Sequence, residues 1–189
     1  TGTVAIDSGS FTNSNGALVN ISGGTVSLDC KASLSQANNF PMLNIVNHAT
    51  GTISFSERTL SATHGNGLQF SNADGTYNFP DQLTLNGGDA GIDILAGSGG
   101  TFTFEDTATI TNPSGTAFMV QSSTPTITYS GSISDNSGYL LDVDNMDGGT
   151  LTFETGNLTS TASGVRILNS NGAIVNFDNP TKSFSTSSN

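Results

Sequence analysis

A short block recurs along the 189-residue chain: an anchor residue, which is threonine in all copies but one, followed by an apolar, a small or polar, and a second apolar residue. The anchors are Thr3, Thr25, Thr52, Thr76, Thr101, Thr126, Thr150 and Ile174. Successive anchors lie 22–27 residues apart. A period of this length predicts a repeat protein, because each copy forms one structural unit that buries its apolar face against the neighbouring copies.

The alternation within the block has a period of two, which predicts a strand with one buried face. The third residue after the anchor is aromatic in six consecutive copies, and we expect these side chains to stack as a column inside the protein: Phe55, Phe79, Phe104, Tyr129, Phe153 and Phe177. Burial of each ring contributes about 1.5–3 kcal/mol to the free energy of unfolding. Tyr129 differs from the others because its hydroxyl needs a hydrogen-bond partner.

Each repeat contains two further short apolar segments, which we call the second and third stations. Turns rich in glycine and asparagine, such as Asn86-Gly87-Gly88, separate them. Three strands and three turns per repeat predict an all-β fold without long helices. We expect a parallel β-solenoid of about 7–8 coils with three sheets, forming a single domain over residues 1–189. A sandwich or barrel also has strands every 8–12 residues, but it does not require the same residue classes to recur in every repeat. Left-handed hexapeptide solenoids repeat about every 18 residues, so the longer repeat favours the right-handed form.

The composition excludes several function classes. The chain carries 4 Lys and Arg against 15 Asp and Glu, a net charge of −11, and it lacks the clustered cations that a nucleic-acid binder needs. No apolar run is long enough to insert this segment into a membrane, and no signal peptide begins it. The single Cys30 cannot form an internal disulfide, and we expect it to be buried as a small hydrophobe. No spacing of Cys and His indicates structural zinc, and we expect no cofactor.

The repeat length, the glycine and asparagine turns, the inward aromatic residues and the scarcity of cations together resemble the right-handed β-helix of bacterial secreted surface proteins. Autotransporter passengers and haemagglutinin-like adhesins are the types that this chain resembles, by pattern and composition over its whole length. The resemblance implies export to the extracellular space or cell surface, a stalk-like scaffold and an adhesive role. It transfers no catalytic residue to this chain.

The anchors are expected to face outward on one sheet. In three coils a second threonine follows two residues later, which would form a two-by-three grid: Thr101, Thr103, Thr126, Thr128, Thr150 and Thr152. Regular Thr-x-Thr arrays on flat solenoids resemble those of ice-binding proteins, so ice binding is one alternative function. The other interpretation is that threonine is favoured on an exposed strand face and packs well against itself there.

The third station predicts a second outward ladder, with one residue from each coil: Asn20, Asn44, Gln69, Asp93, Met119, Asp142 and Arg166. Amide side chains in such a ladder hydrogen-bond from coil to coil. Asp142 and Arg166 occupy adjacent rungs and should form an exposed ion pair, which contributes about 0–1 kcal/mol. A strip that contacts carbohydrate is the functional interpretation, and a structural ladder is the alternative.

The sequence offers little for catalysis or metal binding. Asp93 and Asp142 would lie two coils apart, with Met119 between them, which the strand spacing converts to roughly 10 Å. His48 and His64 fall in predicted loops, and we expect both at the surface. The acidic segment 142–147 does not match a calcium loop, because Met146 stands where an oxygen ligand is required. A carbohydrate-active β-helix enzyme therefore remains only a second alternative function.

The leading hypothesis from the sequence is a non-catalytic extracellular scaffold or adhesin segment. Its partners would be a host receptor, a glycan or another surface protein. The chain opens directly in a predicted strand and ends soon after Phe184 without a recognisable cap. We therefore expect a segment of a longer rod, or a subunit that associates end to end through its open sheet edges.

Overall fold

The computed structural model describes residues 2–89, 91–178 and 181–185, and every regular element within them is a β-strand. In chain order the strands are β1 (Thr3–Ile6), β2 (Ser10–Thr12), β3 (Val19–Ser22), β4 (Ser27–Cys30), β5 (Ser33–Gln36), β6 (Leu43–His48), β7 (Thr52–Phe55), β8 (Leu60–Ala62), β9 (Leu68–Ala73), β10 (Thr76–Phe79), β11 (Leu83–Asn86), β12 (Ile92–Leu95), β13 (Thr101–Phe104), β14 (Thr109–Thr111), β15 (Phe118–Gln121), β16 (Thr126–Tyr129), β17 (Ser132–Asp135), β18 (Leu141–Asp144), β19 (Thr150–Phe153), β20 (Leu158–Ser160), β21 (Val165–Leu168), β22 (Ile174–Phe177) and β23 (Lys182–Phe184).

Every third strand belongs to the same sheet, and neighbouring strands pair in parallel. The first sheet runs from β1 to β22, the second from β2 to β23 and the third from β3 to β21. Three strands therefore complete one coil, and the chain winds through about seven coils of a β-solenoid. This confirms the predicted all-β fold with three parallel sheets, while the right-handed sense of the coil stays a prediction. Among the described residues no helix is long and apolar enough to cross a membrane.

The register of the second coil differs from the one expected from the sequence. Thr3 pairs with Ser27 rather than with Thr25, and Val4 pairs with Leu28. Leu28 in turn pairs with Ile53. The repeat in the first sheet is therefore nearly constant in length, and the expected short and long intervals on either side of Thr25 are wrong. The error arises because a shift of two residues leaves the inward and outward faces of a strand unchanged, so the apolar pattern cannot detect it.

The predicted aromatic column is confirmed inside the solenoid. Phe79 stacks on Phe104 with ring centroids 4.8 Å apart and on Phe55 at 5.6 Å. Tyr129 is tilted against Phe104, and its hydroxyl donates a hydrogen bond to the carbonyl oxygen of Ser132 at 3.2 Å. The corrected register places the buried Cys30 next to Phe55, where it continues the column with a smaller side chain.

A second aromatic cluster is not apparent from the repeat pattern. Tyr77 stacks on Phe102 at 4.7 Å, and both rings contact Phe70 on the third sheet. The two groups of rings fill the core of the middle coils, so that residues from the first and third sheets interlock rather than stack only along the axis.

Where each strand of the third sheet passes into the following corner, the backbone has the same geometry in six successive coils. One residue there adopts a left-handed conformation with φ between 48° and 56°, and these residues are Asn47, Asn72, Ala96, Ser122, Asn145 and Asn169. Asparagine tolerates this conformation better than most residues. The side chains also bond along the axis, because the Asn72 amide donates to the Asn47 amide oxygen at 3.0 Å. Local turn chemistry thus repeats with the coil.

Among the described residues, exposed large apolar side chains are concentrated in the first and last coils. The six that lie there are Val4, Phe11, Ile167, Leu168, Ile174 and Phe184. The seventh is Phe40, which lies in the second coil, where the core is otherwise covered on both sides.

We expect Phe104→Ala to lower the free energy of unfolding by about 3–5 kcal/mol, because it opens a cavity in the column. Phe184→Ala is the matched control, since Phe184 is 42% exposed, and it should cost less than about 1 kcal/mol. Urea unfolding followed by circular dichroism measures both. Equal losses for the two variants would contradict the role assigned to the column.

Candidate functional site

The expected threonine grid is present on the outer face of the first sheet. Thr101, Thr126 and Thr150 occupy three successive rungs. Thr103, Thr128 and Thr152 occupy the same three rungs two residues further along the strands. Thr101 and Thr126 are exposed, whereas Thr150 and the three threonines of the second column are half-buried.

The second column of this face is less uniform than the grid alone suggests. Asn78 and Asn176 flank it on either side, and the Asn176 amide donates to the Thr152 hydroxyl at 3.4 Å. The corrected register also puts Asp29, rather than Ser27, into this column. The charge at Asp29 lies outside the three-rung grid, but the exposed Glu105 and Glu154 directly follow the strands of its first and third rungs.

The second sheet carries a hydroxyl face that the sequence interpretation missed. Apart from Asn86, the outward positions of the strands from β2 to β23 are all serine or threonine: Ser10, Thr12, Ser33, Ser35, Ser61, Thr84, Thr109, Thr111, Ser132, Ser134, Thr159 and Ser183. The sequence does contain a signal for this face, because these serine and threonine residues alternate with the apolar residues of the second station. Two of the three faces therefore present mainly hydroxyl groups and very few charges.

The third sheet carries the expected ladder, in the expected register from Asn20 to Arg166. The Asn44 amide donates to the Asn20 amide oxygen at 2.8 Å. The Gln69 amide donates to Asp93 at 2.7 Å and also to the carbonyl oxygen of Asn66. These polar groups satisfy one another from rung to rung, which favours a structural ladder over a strip that contacts carbohydrate.

Asp93 is the ladder residue whose ionisation is most affected by its surroundings. Burial raises its pKa to about 6, the hydrogen bond from Gln69 opposes this rise, and the negative charge of Asp89 adds to it. The neighbouring rung holds Met119, which supplies no donor to the carboxylate. The ionised form of Asp93 is therefore poorly compensated near neutral pH.

The ion pair between Asp142 and Arg166 forms as expected, but only its Arg166 side is exposed. The Asp142 side chain is only 5% exposed and that of Arg166 is 38% exposed. The guanidinium donates through Nε at 2.8 Å and through a terminal nitrogen at 2.5 Å to the two carboxylate oxygens. The guanidinium carbon also lies 4.5 Å from the ring centroid of Tyr139. Asp142 is therefore shielded from solvent while the guanidinium of Arg166 stays partly exposed, which the alternation of the strand could not show.

His48 is buried, so the expectation of a surface histidine is wrong. Its Nε2 lies 2.8 Å from the carbonyl oxygen of Val26, and its Nδ1 lies 2.8 Å from the Tyr77 hydroxyl. A carbonyl can only accept, so Nε2 carries the proton and Nδ1 accepts from Tyr77. The Tyr77 oxygen accepts in turn from the Gly75 amide at 3.1 Å.

The cause of this burial is the turn that precedes His48. Asn47 adopts the left-handed conformation, which interrupts the alternation of β6 and directs the next side chain inward. Burial raises the pKa of Tyr77 to about 12. The network therefore links three coils, and a substrate cannot reach it because His48 and Tyr77 are both buried.

Two further acids are candidates for metal ligands. Asp147 accepts a hydrogen bond from the backbone amide of Asn171 at 3.3 Å, and the adjacent Met146 is buried. Asp135 is buried with one oxygen bonded to the Ser137 amide at 3.2 Å and the other without a partner. Within the described part of the chain no group of three His, Cys, Asp or Glu residues is arranged to hold a metal ion.

No protein-family model, curated protein or solved structure matches this chain.

Replacing Asp93 by asparagine tests the buried acid in the ladder. Because the folded pKa is raised, the carboxyl stabilises the fold below about pH 4, and this contribution is lost as the pH rises through about 6. Asp93→Asn should therefore increase the free energy of unfolding at pH 7 by about 1–3 kcal/mol relative to its effect at pH 4. Urea titrations at the two pH values measure the difference.

The exposed Asp106→Asn serves as the matched control and should change the free energy of unfolding by less than about 0.5 kcal/mol, because its side chain is exposed. A loss of stability at pH 7 in the Asp93 variant would show that the carboxylate is needed in its charged form.

Proposed function

We propose that this chain is a non-catalytic β-helix scaffold that acts in adhesion or as a spacer, outside the cell or at its surface. The observation that carries the proposal is the distribution of its outer polar groups. Two faces present mainly hydroxyl groups, and the groups of the third face bond to one another between coils. Polar groups that hydrogen-bond to the neighbouring rungs stabilise an extended surface. A catalytic site instead requires polar groups that converge on a substrate.

The positions of the charged residues also support a scaffold without catalytic activity. Asp93 and Asp142 lie two rungs apart, and Met119 stands between them. Two strand spacings separate the two carboxylate positions by roughly 10 Å. A lyase would need a free cation beside a cluster of acids. Lys31 is paired with Glu57 at 2.9 Å, and Arg166 is held by Asp142.

The charge of the chain restricts its partners. At a net charge of −11, acidic partners are repelled at long range, which favours a neutral glycan or a neutral or basic surface of a receptor. Copies of the segment would also associate end to end, because the apolar residues of the first and last coils are exposed. Neither interaction requires nucleic acid or a membrane.

Beads coated with the purified chain test the proposal on a panel of immobilised neutral and acidic polysaccharides. We expect retention of the beads on one or more neutral surfaces, with no release of reducing sugar and no unsaturated product. As the control, other beads are coated with a β-helix segment of equal charge that lacks the two faces of hydroxyl groups. Product release that is abolished by Asp93→Asn would replace the scaffold with an enzyme.

A second candidate function is ice binding, which the three-rung register of the threonine grid favours. Its hydroxyl and methyl groups repeat at about 4.8 Å between strands and about 7 Å along them. The patch is limited to three coils, because Asn78 and Asn176 interrupt the second column. The scaffold is therefore the leading proposal.

Thermal hysteresis at micromolar protein concentration tests ice binding. If the grid binds ice, Thr128→Tyr should abolish the hysteresis, because a bulky ring at the centre of the patch lifts it off a flat lattice. Ser134→Tyr, on the exposed hydroxyl face of the second sheet, should leave it unchanged. Round, unshaped ice crystals grown with the unmodified protein would remove this candidate.

A further inference from the structure

The left-handed residues after the third sheet form a column of their own, which we call the corner ladder: Asn47, Asn72, Ala96, Ser122, Asn145 and Asn169. Hydrogen bonds run between its neighbouring rungs. The Asn72 amide donates to the Asn47 amide oxygen at 3.0 Å, and the Asn145 amide donates to the Ser122 hydroxyl at 3.3 Å. Ala96 occupies the rung between Asn72 and Ser122 and has no polar side chain. The corner ladder is therefore interrupted at Ala96.

The interruption leaves hydrogen-bonding groups on both sides of Ala96. Among the described residues none donates to the Asn72 amide oxygen, and none accepts from the Ser122 hydroxyl. The next residue, Gly97, adds no side chain. A Cβ atom built on it would lie 3.5 Å from the Asn72 amide oxygen and would meet no other atom within 4 Å outside its chain neighbours. Two strand spacings, or roughly 10 Å, separate the Asn72 and Ser122 rungs, so one further polar group fits between them.

A cavity opens at this interruption and extends over three successive coils. Its volume is about 170 Å³. Hydroxyl, amide and carboxylate groups converge on it, and its lining residues are Gly97, Ser122, Ser123, Thr124, Asn145 and Asp147. Pockets for drug-sized ligands have volumes of about 300–1,000 Å³. This cavity is smaller, so it admits a small molecule or one residue of a longer chain.

The lining side chains are held by the coils around them. The buried Ser123 hydroxyl donates to the carbonyl oxygen of Gln121 at 2.9 Å. One carboxylate oxygen of Asp147 accepts from the backbone amide of Asn171 at 3.3 Å, and no described residue donates to the other oxygen. The cavity thus offers a free acceptor in its third coil and the interrupted ladder in its first. Because these groups are already in place, the entropic cost of binding is low.

The interruption determines the chemistry of its occupant, which must donate to the Asn72 amide oxygen and accept from the Ser122 hydroxyl. A hydroxyl group does both, whereas an ammonium group only donates and an ionised carboxylate only accepts. Acidic ligands are also repelled, because Asp147 and the neighbouring Asp144 are negative and none of the lining residues is Lys or Arg. The occupant is therefore an uncharged molecule with hydroxyl groups.

We propose that this cavity binds one uncharged sugar residue of a glycan. One sugar hydroxyl would take the place of the absent rung between Asn72 and Ser122, and a second would donate to the Asp147 carboxylate. A sugar is favoured over separate water molecules because its linked hydroxyl groups meet the ladder and the carboxylate together. This proposal rests on the proposed adhesive function and assigns its glycan contact to this corner rather than to the ladder of the third sheet.

Saturation-transfer NMR with the methyl glycosides of glucose, galactose and mannose tests the cavity. We expect saturation of the ring protons of at least one glycoside. Ala96→Asn should weaken binding at least tenfold, because the new amide completes the corner ladder and takes the place of the sugar hydroxyl. Asparagine suits the left-handed backbone at this position, so the fold is retained. Ser134→Asn is the matched control, since it adds the same amide on the exposed face of the second sheet, and it should leave binding unchanged.

A second variant, Ser122→Ala, removes one lining group without filling the cavity. It deletes the hydroxyl that donates to the sugar and should weaken binding about tenfold. Alanine fits there, because the φ angle of 50° at Ser122 is close to that of 52° at Ala96. Methyl glucuronide should bind more weakly than the neutral glycosides, and excess EDTA should leave their binding unchanged.

Absence of transfer to all three neutral glycosides would overturn the site. Equal transfer with Ala96→Asn, or transfer that requires a divalent cation, would also overturn it. The bead assay separates these results from failure of the proposed function. If the beads are retained although the glycosides fail these tests, the scaffold stands and its contact lies elsewhere. If neither beads nor glycosides bind, the proposed function fails as well. Circular dichroism of each variant establishes that the fold is intact.

Discussion

The parallel pairing of each strand with its equivalent one coil later is the interaction on which the rest of the structure depends. It fixes the backbone of three sheets at once, and it places the same position of every repeat in one column along the axis. The column of Phe79 and Phe104 in the core and the hydrogen bond from Asn44 to Asn20 on the surface both follow from it. Because each coil contacts only its neighbours, stability is close to a sum of coil and interface contributions.

The fold could be predicted from the sequence because period-two alternation and a repeat of nearly constant length both report directly on backbone geometry. Alternation also has a limit, which Ser27 illustrates: it distinguishes the two faces of a strand but not a shift by two residues. His48 shows a second limit within one strand, because the left-handed Asn47 reversed the direction of the next side chain.

The candidate sites were less accessible to sequence reasoning than the fold. The threonine grid and the amide ladder were predicted, since both are columns of equivalent positions. The burial of Asp142 was missed because it depends on Tyr139 and Arg166 from a corner and a neighbouring coil. The exposure of Phe40 was missed because corners do not alternate, so the pattern does not show whether a corner side chain is buried.

The direction of the hydrogen bonds has a mechanical consequence. In this solenoid the strands run across the rod, so the backbone hydrogen bonds between coils lie along its axis. Tension on the two ends would load these bonds one coil at a time, as in opening a zipper, rather than shearing many of them together. The chain would lengthen in steps of one coil, at a force set by the weakest interface. A tether with this behaviour absorbs a sudden pull by releasing length while the remaining coils stay folded.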